Sequence, residues 1–231
     1  MARRSYYITD DGRKVRVPSV TTVLGLIGDK GGLMGWYFKS GKEAARLELE
    51  ENAGPFNTVW DLPKSAAEIG TIAHAMVEAE LSGVKFDRSM YSEELLAGAD
   101  TAYSAWSRWK SANDIQPIAT ELSLSSAKHR FGGTFDLVAM SANGRVLADL
   151  KTGAIYPEHL RQIAGYKILW EEAHPEEPID ELALIGISKS DGGLHYHSWP
   201  ADSDTMRTAE RGFLVAVANY RIEQVLKKAV A

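Results

Sequence analysis

Three stretches near the middle of the chain alternate polar and apolar residues, and this pattern restricts the fold more than any other feature. They cover 121–125, 133–140 and 145–151, and a period of two residues is typical of β-strands. Asn143-Gly144 lies between the second and third stretches and is a strong signal for a two-residue hairpin loop. We therefore predict three strands, of which the last two pair as an antiparallel hairpin.

Helical patterns surround these strands. Apolar residues at helical spacing predict helices over about 66–82, 93–112, 157–173 and 204–228, the first of them opened by a capping box from Ser65 to Glu68. Further strands are predicted at 181–188 and 194–199. The expected fold is α/β or α+β with a mixed sheet. Residues 1–60 are predicted to form a helical arm that packs on a core of residues 61–231.

Composition excludes several classes of protein. The 231 residues include no cysteine, which excludes disulfides, thiol catalysis and an iron–sulfur cluster held by Cys ligands. The sequence has no apolar run of membrane-spanning length and no signal-peptide pattern. We therefore expect a cytoplasmic protein without a membrane partner.

The net charge of −5 argues against nucleic acid as a partner, but the charge is unevenly distributed. Six acidic and no basic residues lie within 171–181, which leaves 26 basic against 25 acidic residues elsewhere. Local basic clusters occur at Arg13, Lys14 and Arg16, and at Lys128 and Arg130. A solvated surface and a phosphate-binding track both explain such clusters, and the two alternatives stay open.

Asp136, Asp149 and Lys151 form the strongest candidate site in the sequence. Alternation along a strand places Asp149 and Lys151 on one face. If Asn143-Gly144 is the whole loop, Asp136 lies opposite Lys151 and diagonal to Asp149 on that face. Two carboxylates in this arrangement can share a divalent cation, and the apolar neighbours on both strands disfavour an exposed, merely solvated hairpin.

These residues belong to a longer motif. Gly133-Thr-Phe-Asp136 is followed by Asp149-Leu-Lys151-Thr-Gly and then by Gln162 and Tyr166, with Gly70-Thr-Ile-Ala-His74 upstream. In their order and approximate spacing, residues 70–166 resemble the RecB-like exonuclease clade of the PD-(D/E)xK nuclease superfamily, which includes phage-encoded and CRISPR-associated exonucleases. The segment 18–24 also resembles the N-terminal part of phage members. Some members hold an iron–sulfur cluster, which a chain without cysteine cannot do.

The resemblance implies a restriction-endonuclease-like αβββαβ core and a defined site. The implied ligands of Mg²⁺ or Mn²⁺ are His74, Asp136, Asp149 and the Leu150 carbonyl. Lys151 would be the catalytic lysine, and Gln162 and Tyr166, one helical turn apart, would steady that lysine or a phosphate. A set of mostly oxygen ligands suits these two cations better than zinc or copper(I).

Other residues have weaker patterns. Glu78 lies one turn after His74 and Glu121 lies on the strand beside Asp136, so either could support the metal ligands. Trp36 could stack on a base, whereas the helical spacing of Trp106 and Trp109 favours a place in the core. The candidate nucleic-acid contacts are Arg13, Lys14, Arg16, Trp36, Lys128 and Arg130.

The function implied by the resemblance is hydrolysis of DNA phosphodiester bonds by a Mg²⁺- or Mn²⁺-dependent exonuclease in phage or mobile-element recombination or repair. The substrate would be single- or double-stranded DNA attacked at its ends, in the host cytoplasm if a phage encodes the chain. A homo-oligomer or a recombination partner protein fits the same picture. The alternative is an accessory module of the same fold that binds nucleic acid without turnover. A barrel lyase is disfavoured, since Ala154 stands where its Asp-x-Lys-x-x-Asp motif needs a carboxylate.

Overall fold

The computed structural model of the protein describes residues 5–26, 38–39, 41–43, 45–46, 61–152, 155–188 and 193–230. Contacts divide the chain into two compact units. The first, here called the sheet unit, comprises Met1–Gly28, Trp106–Ile187 and Leu194–Ala231, and the second unit comprises Asp29–Ala105 and Ser188–Gly193. The predicted boundary at residue 60 stays a prediction.

The sheet unit begins with a β-hairpin. Strand β1 (Tyr6–Asp10) pairs antiparallel with β2 (Arg13–Val17). Asp11 and Gly12, between the strands, both have positive φ, as a type I′ turn requires. The short helix α1 (Val20–Leu24) follows. The prediction of a helical arm is therefore wrong over these two strands, because Asp-Gly between two alternating segments specifies a hairpin.

The second unit contains helix α2 (Asp61–Leu81) and most of helix α3 (Glu93–Ala112). A Cβ at Gly98 of α3 would lie 3.0 Å from Ile69 Cδ1 of α2, so the missing side chain lets the two helices approach closely. Because α2 begins at Asp61, Ser65 and Glu68 lie within the helix and the predicted capping box is wrong.

A five-stranded mixed sheet follows in the sheet unit. Its strands, in both chain order and sheet order, are β3 (Gln116–Ser126), β4 (Phe131–Ser141), β5 (Gly144–Lys151), β6 (Glu181–Ile187) and β7 (Leu194–Pro200). Only β5 and β6 pair in parallel, and helix α4 (Pro157–Ala173) connects them. Helix α5 (Asp204–Ala229) ends the chain. With α3 as the first helix, the predicted αβββαβ order and mixed sheet are confirmed.

The core of the sheet unit lies between the sheet and helices α4 and α5. Its large buried side chains include Phe131, Phe135, Leu147, Leu169, Trp170, Leu182, Leu184 and Phe213. A Cβ at Gly165 of α4 would lie 2.9 Å from Phe213 Cζ, so glycine allows α4 and α5 to cross in contact. Trp106 is buried, as its helical spacing predicts, and the centre of its ring lies 5.4 Å from the centre of the Trp109 ring. Among the described residues, no helix combines the length and hydropathy that a membrane crossing requires.

The β4–β5 loop differs from the prediction. The strand pairs run from Leu137–Ala148 to Ser141–Gly144, so the loop is Ala142-Asn143 and Gly144 already belongs to β5. Neither loop residue has positive φ, whereas Gly144 has φ +107°, which excludes the predicted type I′ turn. A Cβ at Gly144 would overlap the carboxylate of Asp180, which lies just before β6. Only glycine therefore fits at this position of β5. The register is therefore shifted by two residues from the predicted one.

Candidate functional site

The shifted register changes the partner of Asp136. Continued one residue beyond the last pair, Leu137–Ala148, it places Asp136 beside Asp149, and the predicted position opposite Lys151 is wrong. A shift of two residues preserves the face on which a side chain lies, because the side-chain period of a strand is two. Asp136 stays close to Asp149, because its carboxylate binds the backbone of the next residue, Leu150.

Asp136 is bound to β5 through its side chain. The Leu150 backbone N–H donates a hydrogen bond of 2.7 Å to Asp136 Oδ2, so a carboxylate accepts a bond from the neighbouring strand where the backbone ladder has ended. Asp149 is only 2% exposed and forms an ion pair with the Lys151 ammonium. A buried carboxylate requires such a partner, since an unpaired buried charge is strongly destabilising.

Glu121 adds a third carboxylate. It lies on β3 in line with Asp136, and a carboxylate oxygen of Glu121 lies within 4.8 Å of one of Asp136. Its φ of +48° is a left-handed conformation that a non-glycine residue in a strand rarely adopts. Backbone strain of this kind persists only where the surrounding structure imposes it, and it is enriched at functional sites.

Helix α4 supplies a polar partner of Lys151, the Gln162 amide. The Lys151 ammonium donates to Gln162 Oε1 at 3.1 Å, and Gln162 Nε2 donates to the Tyr166 hydroxyl at 2.9 Å. Gln162 Nε2 also lies 3.5 Å from Asp149 Oδ1. The predicted spacing of one turn thus brings Gln162 and Tyr166 into one chain of contacts that ends on the lysine.

The surroundings of the buried Tyr166 hydroxyl raise its pKa. Burial raises the pKa of the Tyr166 hydroxyl well above its ordinary value, and the charges of Asp149 and Asp136 raise the pKa further, against the hydrogen bond from Gln162, which lowers it. The Tyr166 hydroxyl therefore stays protonated at neutral pH.

His159 is a member of this cluster that the sequence analysis missed. Its Nδ1 accepts a hydrogen bond of 3.1 Å from the Tyr156 backbone N–H. Burial lowers the pKa of the His159 imidazole, the Lys151 charge lowers it further, and Asp149 opposes the shift. The neutral ring therefore carries its proton on Nε2 and can act as a donor. Its position one turn before Gln162 on α4 was the signal in the sequence.

Two successive glycines of β4, shortly before Asp136, make room for aromatic rings. A Cβ at Gly132 would overlap Tyr6 of β1, and a Cβ at Gly133 would lie 2.8 Å from Tyr166 Cε1. Successive strand residues face opposite sides of the sheet, so one ring packs on each side of β4. Gly133 thus lets Tyr166 pack directly against the strand that carries Asp136.

The structure distributes the remaining predicted residues over three places. His74 and Glu78 lie one turn apart on α2, in the second unit, so their roles at the site stay predictions. Lys128 and Arg130 lie in the turn between β3 and β4, where Arg130 forms a 2.6 Å ion pair with Asp10. Arg13, Lys14 and Arg16 are exposed on β2. Trp36 lies outside the described residues.

The donor set fits a hard divalent cation. Within the sheet unit, Glu121 and Asp136 offer carboxylate oxygens within 4.8 Å of one another, the ligand type that Mg²⁺ and Mn²⁺ prefer. The Leu150 backbone N–H is bound to Asp136, and the predicted role of the Leu150 carbonyl stays a prediction.

Comparisons with known proteins give limited similarities. No protein-family model matches the sequence, and no curated protein matches it either. Among solved structures, a protein of Eubacterium rectale described as an exonuclease has 11% identity and a TM-score of 0.43 over 65% of this chain and 68% of its own. The alkaline exonuclease LHK-Exo of Laribacter hongkongensis has 14% identity and a TM-score of 0.35 over 71% of this chain and 90% of its own. At such values the similarity does not establish a shared activity.

Proposed function

We propose that the protein is a Mg²⁺- or Mn²⁺-dependent deoxyribonuclease that hydrolyses phosphodiester bonds, acting as an exonuclease in phage or mobile-element recombination or repair. The observation that carries this proposal is the Lys151 ammonium held between Asp149 and Gln162, on the strand whose Leu150 N–H binds the Asp136 carboxylate. Phosphodiester hydrolysis builds negative charge on the phosphoryl oxygens and needs an activated water. Carboxylates that can hold a cation provide for the activation of water. The fixed ammonium beside them stabilises the negative charge.

The residues divide the work between them. Asp136, Asp149 and Glu121 would hold the cation, with His74 and the Leu150 carbonyl as further candidate ligands. A bound cation would supply Lewis-acid stabilisation of the developing charge and would lower the pKa of a water molecule.

Lys151 stabilises the developing charge or orients the attacking water. Its ammonium is held by Asp149 on one side and by Gln162 on the other, which fixes the direction in which the third N–H bond points. The partly buried surroundings strengthen this electrostatic effect, because charges interact more strongly away from bulk water. Tyr166 acts one step further away, by holding the Gln162 amide.

The test is digestion of end-labelled single- and double-stranded DNA, with circular DNA of each kind as the control for end dependence. Wild-type protein should shorten the linear substrates with Mg²⁺ or Mn²⁺, leave circles intact, and lose all activity with a chelator. Asp149→Asn and Lys151→Ala should each reduce cleavage by at least about 10²-fold, the effect of removing one preorganised transition-state contact. Lys227→Ala, at the exposed end of α5, is the matched control and should cleave like wild type.

The accessory-module alternative predicts a different result. A protein that binds DNA but cleaves none of these substrates with any divalent metal would be such a module, and the proposed activity would be wrong. Equal cleavage by wild type and Lys151→Ala would show that the observed activity comes from elsewhere.

A further inference from the structure

The outer face of the β1–β2 hairpin presents an aromatic ring between two cations. Tyr7, Lys14 and Arg16 form this surface, here called the hairpin face. Tyr7 is paired directly with Arg16 across the strands, and Lys14 is its diagonal neighbour. The Lys14 ammonium lies 4.5 Å from the centre of the Tyr7 ring, within the range of a cation–π contact. Tyr7 is nevertheless 42% exposed, so part of its ring faces solvent.

The hairpin face has a fixed position within the sheet unit. On the inner side of the hairpin, the Tyr6 hydroxyl is 2.8 Å from Thr134 Oγ1, and Thr134 is two residues before Asp136. The Gly132 backbone N–H donates to the Pro18 carbonyl at 2.9 Å, and the Asp10–Arg130 ion pair ties the tip of the hairpin to the β3–β4 turn. The hairpin is therefore attached to the strand that carries a candidate catalytic carboxylate.

The chemistry of the hairpin face fits one kind of polyanion. Cations alone bind the phosphates of single-stranded and double-stranded nucleic acid alike. An exposed aromatic ring distinguishes the two, because an unpaired base can stack on it and a base inside a duplex cannot. Both cations belong to a chain of net charge −5, so positive charge is concentrated here against the overall balance.

We propose that the hairpin face binds an unpaired nucleotide of single-stranded DNA, with the base stacked on Tyr7 and the adjacent phosphates on Lys14 and Arg16. The proposal rests on the proposed nuclease function and names its substrate as a single-stranded end.

Binding without turnover isolates this surface. Fluorescence anisotropy, measured with a chelator present, compares a labelled single-stranded oligothymidylate with a labelled blunt-ended duplex, in which every base is paired. Wild type should prefer the single strand. Tyr7→Ala should weaken single-strand binding by about tenfold and leave duplex binding unchanged, within the roughly 5- to 150-fold range expected for one stacked base. Tyr7→Phe, which keeps the ring, should bind like wild type.

Two further variants separate stacking from charge and from folding. Lys14→Gln should lower the slope of log affinity against log salt by about 0.7 on the single strand, the share of one phosphate contact. Thr9→Ala, on the same exposed face, is the control and should change nothing. The melting temperature of each variant verifies that the hairpin remains folded.

The outcomes separate this proposal from the proposed activity. Equal affinity of wild type and Tyr7→Ala for the single strand, or an equal loss on both ligands, would overturn the role of Tyr7 in selecting unpaired bases. If Tyr7-dependent binding is seen but wild type cleaves no DNA with any metal, the hairpin face stands and the nuclease activity fails. If wild type cleaves DNA and Tyr7→Ala binds as well as wild type, only the hairpin face fails.

Discussion

Replacing Gln162 by leucine separates the positioning of Lys151 from its charge. Leucine has a similar volume and no hydrogen-bonding group, so Gln162→Leu removes the contact of 3.1 Å to the Lys151 ammonium and the contact of 2.9 Å to the Tyr166 hydroxyl. The ion pair between Lys151 and Asp149 remains. The ammonium is then held from one side only.

The size of the effect follows from these contacts. A hydrogen bond to a charged group contributes about 1.5–3 kcal/mol, and about 1.4 kcal/mol corresponds to tenfold in rate. Because the ion pair with Asp149 still restrains the lysine, we expect the lower end, a decrease of about tenfold in kcat with KM nearly unchanged. The Tyr166 hydroxyl loses a buried partner, which should destabilise the fold by about 1–2 kcal/mol and lower the Tm by about 2–8 °C.

The assay is a double-mutant cycle on a single-stranded substrate with Mn²⁺. If Gln162 acts through Lys151, Gln162→Leu should have no further effect on kcat in the Lys151→Ala background. Effects that multiply in the double variant would refute this reasoning. A change confined to KM would instead place Gln162 on the substrate phosphate.

Three other predictions test the surroundings of the site. Gly133→Ala should push Tyr166 away from β4, since the new Cβ would lie 2.8 Å from its ring, and should lower both Tm and kcat, as melting curves and steady-state kinetics will show. Burial lowers the pKa of His159 in the folded protein below the value of about 6.5 in the unfolded chain. As the pH falls, the unfolded state therefore takes up a proton before the folded state does. Stability should therefore fall as the pH drops from about 7 toward 5, and less in His159→Gln when thermal melts are compared. His74→Ala should raise the half-activating concentrations of both metals and narrow the advantage expected for Mn²⁺, which accepts imidazole more readily than Mg²⁺; unchanged metal titrations would remove His74 from the site.

The order of helices and strands could be predicted from the sequence because it depends on local patterns. The alternation in β4 and β5 and the apolar stripe of α4 are visible within a few residues, and both elements form as predicted. The hairpin at Tyr6–Val17 has an equally local signal, since Asp11-Gly12 separates two alternating segments. The prediction of a helical arm over residues 1–60 overlooked this signal.

What could not be predicted depends on residues far apart in the chain. Gly144 belongs to β5 because Asp180 fills the space beside it, and no local pattern indicates that contact. Gly132 and Gly133 would weaken an ordinary strand, and their function becomes visible only when Tyr6 and Tyr166 pack against them.

The register of the β4–β5 hairpin determines which element positions Lys151. In the predicted register Asp136 would face Lys151, and the hairpin alone would neutralise and orient the ammonium. In the observed register Asp136 accepts a hydrogen bond from the Leu150 N–H, and the Lys151 ammonium binds Asp149 and Gln162 of α4. The strand thus supplies the charges and the helix sets the direction of the lysine, which is why a neutral amide on α4 is expected to affect kcat more than KM.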